Sequence, residues 1–310
     1  MILLWGLETD TPLCATRETL LGRGADVFFL DQSRVHETSL SLDEAEGEIR
    51  VGRDRLDLSD VTAIYLRCDD SAEAAPDARE NAELRRHAGE IDAAMGAFLE
   101  ATAALVVNPF EAMATNGSKP YQSALIRARG FSVPETLVTT DPAAARAFVA
   151  RQESAIYKSV SAVRSIVKRV GATQMARLED VAWCPTQFQA HVPGRDFRVH
   201  VIGDHVFASE IVSDADDYRY AGRQGESVDV KASTLDSALA GKCRDLAHGL
   251  GLLAAGVDLR LTPDGEWFCF EVNPSPAFTY YESATGQPMA EAMAELLIGG
   301  ARSCERRPGT

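Results

Sequence analysis

The stretch GVDLRLTPDGEWFCFEVN (residues 256–273) constrains the fold more than any other part of the sequence, because it predicts a β-hairpin. Asp264 and Gly265 form a dipeptide typical of two-residue hairpin turns, and alternating apolar runs flank it. With these two residues as the loop, one face of the hairpin pairs apolar residues only: Val257 with Val272, Leu259 with Phe270, and Leu261 with Phe268. A three-residue loop would shift the pairing by one position and break this match, so the two-residue loop is the prediction.

The opposite face of the predicted hairpin brings acidic side chains together. It places Asp258 directly across from Glu271, with Asn273 near Gly256. Directly opposed residues have Cβ atoms roughly 4.5–5.5 Å apart, and like charges at this spacing destabilise a sheet. Two carboxylates and an amide oxygen suit a hard divalent cation such as Mg²⁺, which binds a few carboxylates together with substrate phosphates. A solvated sheet face, on which the acids point into water, is the alternative interpretation.

Composition excludes several classes of protein. A net charge of −15 over 310 residues argues against a general binder of nucleic acid or of anionic membranes, because such partners require a positive surface. The opening MILLWG is too short for a membrane-spanning helix and lacks the flanks of a signal peptide, so a cytoplasmic protein is expected. The cysteines are scattered without a CxxC pair, which is typical of reduced, buried thiols; they are Cys14, Cys68, Cys184, Cys243, Cys269 and Cys304.

The order of apolar runs predicts an α/β protein whose C-terminal part is α+β. The first hundred residues alternate between strands such as ILLWGL and helices such as DTPLCATRETLLGRG, and no GxGxxG follows the first strand. A second block of helices and strands starts near Asn116, and a third consists of hairpins, two helices and the acidic hairpin. We therefore predict three domains, which are residues 1–110, 111–185 and 186–310.

The acidic hairpin resembles the metal-binding hairpin of the ATP-grasp superfamily, whose members use an Asp and an E-x-N pair to hold two Mg²⁺ ions on ATP. The resemblance covers residues 100–298, and it is closest to glutamate-adding ligases and to the microviridin-type (graspetide) peptide-cyclising ligases. It implies an ATP-grasp fold behind an N-terminal α/β pre-grasp domain. It also implies ATP and Mg²⁺ as cofactors, with Mn²⁺ as a substitute, and Asp258, Glu271 and Asn273 as the metal ligands.

The same resemblance assigns further residues to the nucleotide. Lys119 and the strand residue Lys158 correspond to the lysines that reach the phosphates. FQAHVPGRDFR resembles the hinge and the D-x-R motif of the family, in which main-chain groups of Ala190 and Val192 face adenine. The residues implied at the nucleotide are Lys119, Lys158, Gln189, Ala190, His191, Val192 and Asp196, and the catalytic arginines are Arg198 and Arg219.

Two departures from the family pattern stand out. Ala190 replaces the hinge glutamate, so adenine recognition depends on the main chain or on another side chain. The loop after Lys158 has few glycines and carries Arg164, Lys168 and Arg169, which either close over the phosphates or form a solvated surface.

The implied chemistry is an ADP-forming ligation through an acyl-phosphate, joining a carboxylate to an amine or a hydroxyl on a peptide or an amino-acid-like substrate. The sequence nominates no clear general base, since His191, His200 and Glu210 qualify by position only. Tyr280 and Tyr281 are expected to shape the acceptor pocket. A non-catalytic nucleotide-binding regulator and a metal-dependent phosphoester hydrolase remain alternatives, and the sequence leaves a homodimer open.

Overall fold

The computed structural model describes residues 1–43, 46–160, 167–213 and 228–305. The chain divides into two compact units. Unit 1 comprises Met1–Pro109, Ala277–Glu282 and Pro288–Thr310, and unit 2 comprises Phe110–Pro276 and Ser283–Gln287. The division into domains 1–110, 111–185 and 186–310 stays a prediction.

The secondary structure alternates between strands and helices in both units. The strands are β1 Ile2–Gly6, β2 Val27–Asp31, β3 Thr38–Asp43, β4 Glu46–Val51, β5 Asp54–Asp57, β6 Ala63–Arg67, β7 Leu105–Val107, β8 Thr136–Thr139, β9 Ala155–Ser159, β10 Lys168–Arg169, β11 Thr186–Ala190, β12 Arg195–Ile202, β13 His205–Ser213, β14 Val228–Ser233, β15 Ala254–Leu261 and β16 Trp267–Asn273. The helices are α1 Thr11–Gly22, α2 Ser71–Ala74, α3 Pro76–Glu80, α4 Ala82–Ala101, α5 Phe110–Met113, α6 Lys119–Ala128, α7 Pro142–Ala150, α8 Ala172–Ala176, α9 Ser237–Gly249, α10 Thr279–Thr285 and α11 Met289–Glu305. Short 3₁₀ helices span Gln32–Glu37, Leu58–Asp60, Ala114–Gly117 and Leu178–Trp183.

Unit 1 is built on a parallel sheet with the strand order β2-β1-β6-β7. Its central strand β1 is buried along its whole length, which explains why ILLWG reads as a continuous apolar run. Helix α1 begins at Asp10, whose side chain accepts a hydrogen bond from the Leu13 N–H at 2.8 Å. This α/β arrangement agrees with the expectation for the first hundred residues.

Unit 1 also contains an antiparallel sheet of β3, β4 and β5 that the sequence analysis did not predict. Ile49, Val51 and Leu56 of this sheet belong to the same hydrophobic core as Leu3 and Trp5 of β1. The small sheet is therefore an integral part of the unit.

The described part of unit 2 contains two antiparallel sheets. The first has the order β10-β9-β11-β8, and Phe188 on β11 packs on one of its faces against Phe148 of α7 and Leu178. The second has the order β14-β13-β12-β15-β16, and Val199 on β12 shares a core with Ile126 of α6 and with residues of α9. Each sheet thus packs one face into a hydrophobic core and carries polar side chains, several of them buried, on the opposite face.

Among the residues that the structure describes, no helix is both long enough and apolar enough to cross a membrane.

Candidate active site

Strand β12 carries polar side chains on one face of the five-stranded sheet, as the alternation of its sequence predicts. Phe197 and Val199 are buried in the hydrophobic core of unit 2. Asp196, Arg198 and His200 alternate with them and therefore lie on the opposite face. We use the name polar face for this side of the sheet.

One row across the polar face joins four strands. Arg198 pairs in register with Ser209 on β13 and with Asp258 on β15, and Asp258 pairs with Glu271 on β16. In the neighbouring row, Gly256 pairs with Asn273. The structure thus brings together the three predicted metal ligands and the predicted catalytic arginine.

The turn of the acidic hairpin differs from the prediction of a two-residue loop, which is wrong. The Thr262 N–H donates to the Glu266 carbonyl at 2.9 Å, so the loop contains three residues, 263–265. The Gly265 N–H donates to the Thr262 carbonyl at 3.0 Å, and Gly265 has a φ of +86°. A turn followed by one left-handed residue is the usual form of a three-residue hairpin loop, and glycine adopts that conformation without strain.

A β-bulge then restores the pairing that the longer loop shifts. The predicted pairs of Leu259 with Phe270 and of Leu261 with Phe268 are wrong, because Leu259 pairs with Cys269 and Leu261 pairs with Trp267. The register shifts between Asp258 and Leu259, which leaves Phe270 as the extra residue. Beyond the bulge, Asp258 faces Glu271 and Val257 faces Val272, as predicted.

The donor set of this hairpin fits a hard divalent cation. Asp258 and Glu271 are half-buried and directly opposed, and Asn273 is half-buried on the same strand. The Asn273 Oδ1 accepts a hydrogen bond from the Ser275 N–H at 2.9 Å, which fixes the orientation of its side chain. All three side chains offer oxygen atoms, which are the ligands that Mg²⁺ prefers.

Arg198 compensates part of the negative charge. Its Nη1 lies 2.6 Å from the Asp258 Oδ1, and its side chain is only 7% exposed. The guanidinium lies directly over Gly256, where a Cβ atom would be 2.1 Å from Nη2. Glycine is therefore required at position 256 for this arrangement, a role that the sequence analysis did not identify.

Asp196 of the D-x-R motif binds another arginine. The Arg260 Nε and Nη2 donate to the two Asp196 carboxylate oxygens at 2.6 and 2.8 Å, and the Arg260 Nη1 donates to the Val192 carbonyl at 2.7 Å. Arg260 thereby links strand β15 to the hinge. Arg260 is not among the predicted site residues, although its alternation with Asp258 on β15 places it on the polar face.

The hinge residues have defined main-chain partners. The Ala190 N–H donates to the Glu135 carbonyl at 2.9 Å, and the His191 N–H donates to the Ser154 carbonyl at 2.9 Å. The buried Gln189 side chain donates to the Thr136 Oγ1 at 3.0 Å. For a bound ligand, Ala190 consequently offers its carbonyl rather than its N–H.

The two lysines that are predicted to bind phosphate lie on a helix and on a strand, as the sequence pattern indicates. Lys119 is the first residue of α6, and Lys158 lies on β9 opposite Gln187 of β11. Both lysines are half-buried. Gln187 is buried, and it alternates with Phe188, so Lys158 and Gln187 lie on the face of this sheet that is opposite its core.

His200 is fully buried on the polar face. Burial, followed by the charge of Arg198, lowers the pKa of His200 well below its ordinary value. The ring is therefore neutral at physiological pH.

The other two candidate bases differ in position. The His191 Nε2 lies 3.2 Å from the Arg169 Nη2. Glu210 pairs in register with Phe197, so its side chain lies on the side of the sheet opposite the polar face.

The remaining sequence candidates fall elsewhere. Arg164 and Arg219 lie outside the described residues, and Lys168 is exposed on β10. Tyr280 and Tyr281 lie in α10 with their ring centroids 5.3 Å apart, Tyr280 exposed and Tyr281 buried. Among the described residues, no group of three or more His, Cys, Asp and Glu side chains is placed to hold a metal ion, so the predicted site depends on the amide of Asn273.

Comparison with known proteins identifies the family. The RimK-like ATP-grasp domain matches residues 119–297, which is more than half of the chain. The chain belongs to this family. The predicted ATP-grasp fold and the predicted class of enzyme, an ATP-grasp ligase, are thereby confirmed.

Solved structures resemble the whole chain. The ATP-grasp ligase PsnB, in complex with a phosphomimetic variant of a minimal precursor, Mg and ADP, is 28% identical with a TM-score of 0.79, over 97% of this chain and 98% of that chain. The macrocyclase MdnC from Microcystis aeruginosa, bound with the precursor peptide MdnA, is 21% identical with a TM-score of 0.83, over 96% and 99%. A ligase associated with ribosomally synthesised, modified peptides (RiPPs) from Chryseobacterium gregarium, in complex with ADP and a leader and core peptide, is 20% identical with a TM-score of 0.82, over 99% and 97%. No curated protein matches the chain.

Proposed function

We propose that this ATP-grasp ligase joins a carboxylate to an amine or a hydroxyl on a peptide, with ATP and Mg²⁺ as cofactors and ADP as a product. The row of Arg198, Asp258 and Glu271 across three strands is the observation that carries this proposal. The likeness to PsnB supports it, because that ligase is bound to a precursor, Mg and ADP and its likeness extends over nearly the whole chain.

Asp258, Glu271 and Asn273 would hold the metal. When bound, Mg²⁺ would supply positive charge that stabilises the negative charge growing on the phosphates during transfer. Arg198 keeps the Asp258 carboxylate oriented through their 2.6 Å ion pair. The Ser275 N–H similarly orients the Asn273 amide.

The hinge would bind adenine through its main chain. The Ala190 N–H and the Val192 carbonyl are already hydrogen-bonded, to Glu135 and Arg260 respectively. The remaining groups are the Ala190 carbonyl and the Val192 N–H, which match the N6 donor and the N1 acceptor of adenine. Gln189 and His191 flank these groups, and Asp196 supports them indirectly through Arg260.

The lysines and arginines would bind the phosphates. Lys119 and Lys158 supply the positive charge that ATP requires in a protein with a net charge of −15. Arg198 would also contact the acyl-phosphate with the part of its planar guanidinium that does not face Asp258. Arg219 joins it in this proposal on the resemblance alone.

The proposed reaction has two steps, a phosphoryl transfer and an acyl transfer. A substrate carboxylate oxygen attacks the γ-phosphorus of ATP, the bond to the β–γ bridging oxygen breaks, and ADP leaves. An amine or a hydroxyl then attacks the acyl carbon, the bond from that carbon to the phosphate oxygen breaks, and the proton of the nucleophile passes to the departing phosphate. His200 is neutral, but full burial and its lowered pKa make it a weak proton acceptor.

The test combines nucleotide analysis with mass spectrometry. The protein is incubated with ATP, Mg²⁺ and a synthetic peptide containing Thr, Ser, Lys, Asp and Glu. The proposal predicts ADP without AMP and a peptide that has lost one water for each bond formed. AMP and pyrophosphate would refute the acyl-phosphate route, hydrolysis of phosphoesters without ATP would favour the hydrolase, and tight ATP binding without turnover would favour the regulator.

A matched pair of variants tests the metal ligands. Glu271→Gln keeps the size of the side chain and should abolish turnover without unfolding the protein. Asp229→Asn removes one charge from the exposed ion pair with Lys231 on β14 of the same sheet and should leave turnover unchanged. Wild-type turnover of Glu271→Gln would remove the metal assignment.

A further inference from the structure

The outer edge of strand β16 is covered by a side chain rather than by another strand. In the part of the chain that the structure describes, β16 is the last strand of its sheet, and its outer edge makes a single-residue β-bridge between Phe268 and Ser132. The Gln122 Nε2 donates to the Val272 carbonyl at 2.8 Å, and the Val272 N–H donates to the Gln122 Oε1 at 3.0 Å. The Gln122 amide therefore replaces a neighbouring strand at this one residue.

The position of this contact is significant for the proposed metal site. Val272 lies between Glu271 and Asn273, and main-chain groups of successive residues in a strand point to opposite sides. With the Val272 groups bound to Gln122, the main chains of Glu271 and Asn273 point towards β15, where they pair with Asp258 and Gly256. The strand is thus held from both sides at the point where it presents two of the three proposed ligands.

The β-bulge lies close to this second attachment, because its extra residue Phe270 is two positions before Val272. On the other side of Phe270, the Cys269 N–H donates to the Ser132 carbonyl at 2.9 Å on the same outer edge. The extra residue of a bulge weakens the local ladder, so the register beyond it must be fixed by other contacts. Gln122 supplies that contact, and both Gln122 and Val272 are almost completely buried.

The same helix also carries a proposed phosphate ligand. Gln122 is three residues after Lys119 in α6, and residues with this spacing lie on the same face of a helix. A shift of α6 would consequently move Lys119 and the β16 ligands together.

We propose that Gln122 is a positioning residue for the metal site, which keeps Glu271 and Asn273 in register with Asp258. This inference rests on the proposed function. Residues that orient metal ligands typically change metal affinity by about 10- to 100-fold when they are removed.

The test uses Gln122→Met, which keeps the length of the side chain and removes both hydrogen bonds. We expect the Mg²⁺ concentration for half-maximal ATP consumption to rise about 10- to 100-fold. Binding of Mn²⁺ to the ADP complex, measured by electron paramagnetic resonance, should weaken by the same factor, while binding of ADP without metal stays unchanged. Hydrogen exchange of the Val272 amide should become faster.

The matched control is Arg129→Met at the other end of the same helix region. The Arg129 Nη2 donates to the Gly249 carbonyl at 2.8 Å and so attaches this segment to the end of α9 rather than to β16. This variant should lose thermal stability but keep the Mg²⁺ and Mn²⁺ dependence of the wild type. An equal metal shift in Arg129→Met would show general loosening and would overturn the proposal.

A second variant tests the same contact in case Gln122→Met does not fold. In Gln122→Glu, the carboxylate can still accept a hydrogen bond from the Val272 N–H, but it cannot donate one to the Val272 carbonyl. The Mn²⁺ affinity of this variant should therefore also fall. Wild-type Mn²⁺ affinity in either folded Gln122 variant would overturn the inference. Glu271→Gln is measured in parallel: if it too binds Mn²⁺ like the wild type, the metal assignment of the proposed function is at fault.

Discussion

Substitution of Gly256 by alanine tests whether the position of the Arg198 guanidinium over Gly256 is required for activity. The added Cβ would lie 2.1 Å from the Arg198 Nη2 and 2.4 Å from its Cζ, whereas ordinary contact begins at 3.4 Å. The guanidinium must therefore move by about 1 Å or more, because the Cβ atom is fixed by the backbone. The 2.6 Å bond to the Asp258 Oδ1 cannot survive such a movement unchanged.

The expected loss can be estimated from this displacement. A misplacement of about 1 Å in a reacting constellation costs about 100-fold in rate, or about 2.7 kcal/mol of transition-state stabilisation. The free energy of unfolding should fall by about 2 kcal/mol, less than for a fully buried ion pair, because the Asp258 side chain is 26% exposed and water replaces part of the bond.

The assay compares kcat/KM for ADP formation with thermal unfolding. Gly241→Ala is the matched control, since Gly241 lies inside α9 with open space where the Cβ would be. It should be more stable by about 0.5–1 kcal/mol and fully active. Arg198→Lys, made alone and in the Gly256→Ala background, supplies a double-mutant cycle whose costs should be strongly non-additive. Wild-type kcat/KM in Gly256→Ala, or additive costs in the cycle, would refute the reasoning.

Two further predictions concern the hinge and the buried histidine. Arg260→Met removes the bonds to Asp196 and to the Val192 carbonyl, so KM for ATP should rise about ten-fold with little change in kcat, and Arg260→Lys should not restore it because it lacks the planar fork. An unchanged KM for ATP in Arg260→Met would contradict the role of Arg260 in holding the hinge. Because the pKa of His200 is lowered by burial, only the unfolded chain gains a proton on this residue as the pH falls below about 6.5. The free energy of unfolding should therefore fall by up to about 1.4 kcal/mol per pH unit below that value. Urea denaturation from pH 7.5 to 5 measures this dependence, and the free energy of unfolding of His200→Gln should depend less steeply on pH.

The sequence predicts the features that depend on alternation. The polar face of β12, with Arg198 and His200 opposite the buried Val199, follows from the period of two and is present in the structure. The predicted facing of Asp258 and Glu271 agrees with the structure because the three-residue loop and the bulge offset each other. The alternation on β12 is local, so a short window of sequence contains the information that determines it.

The bulge could not be predicted from the same pattern. Residues 267–270 read Trp-Phe-Cys-Phe, so an apolar residue is available for the core in either register. The structure buries Cys269 and leaves Phe270 half-buried beside Arg260, whose guanidinium carbon lies 5.2 Å from the ring centroid. Hydrophobicity alone does not distinguish these two solutions.

Long-range contacts were equally hidden. Gln122 and Val272 are 150 positions apart in the sequence, and a glutamine in an amphipathic helix is ordinarily a surface residue. The sheet of β3, β4 and β5 was missed for another reason, because its alternating segments are short and rich in charged residues.

The combination of a three-residue loop and one bulge has a consequence for comparing this hairpin between relatives. Removal of Phe270 would abolish the bulge and place Glu271 directly after Cys269, so Asp258 would still face Glu271. A change in loop length would likewise leave the pairs of the hairpin unchanged, so the loop and the bulge can vary independently without separating the two acids. Alignments of such hairpins are best anchored on the E-x-N end of the strand, because the number of residues between the Asp-Gly turn and the acidic ligand depends on whether the bulge is present.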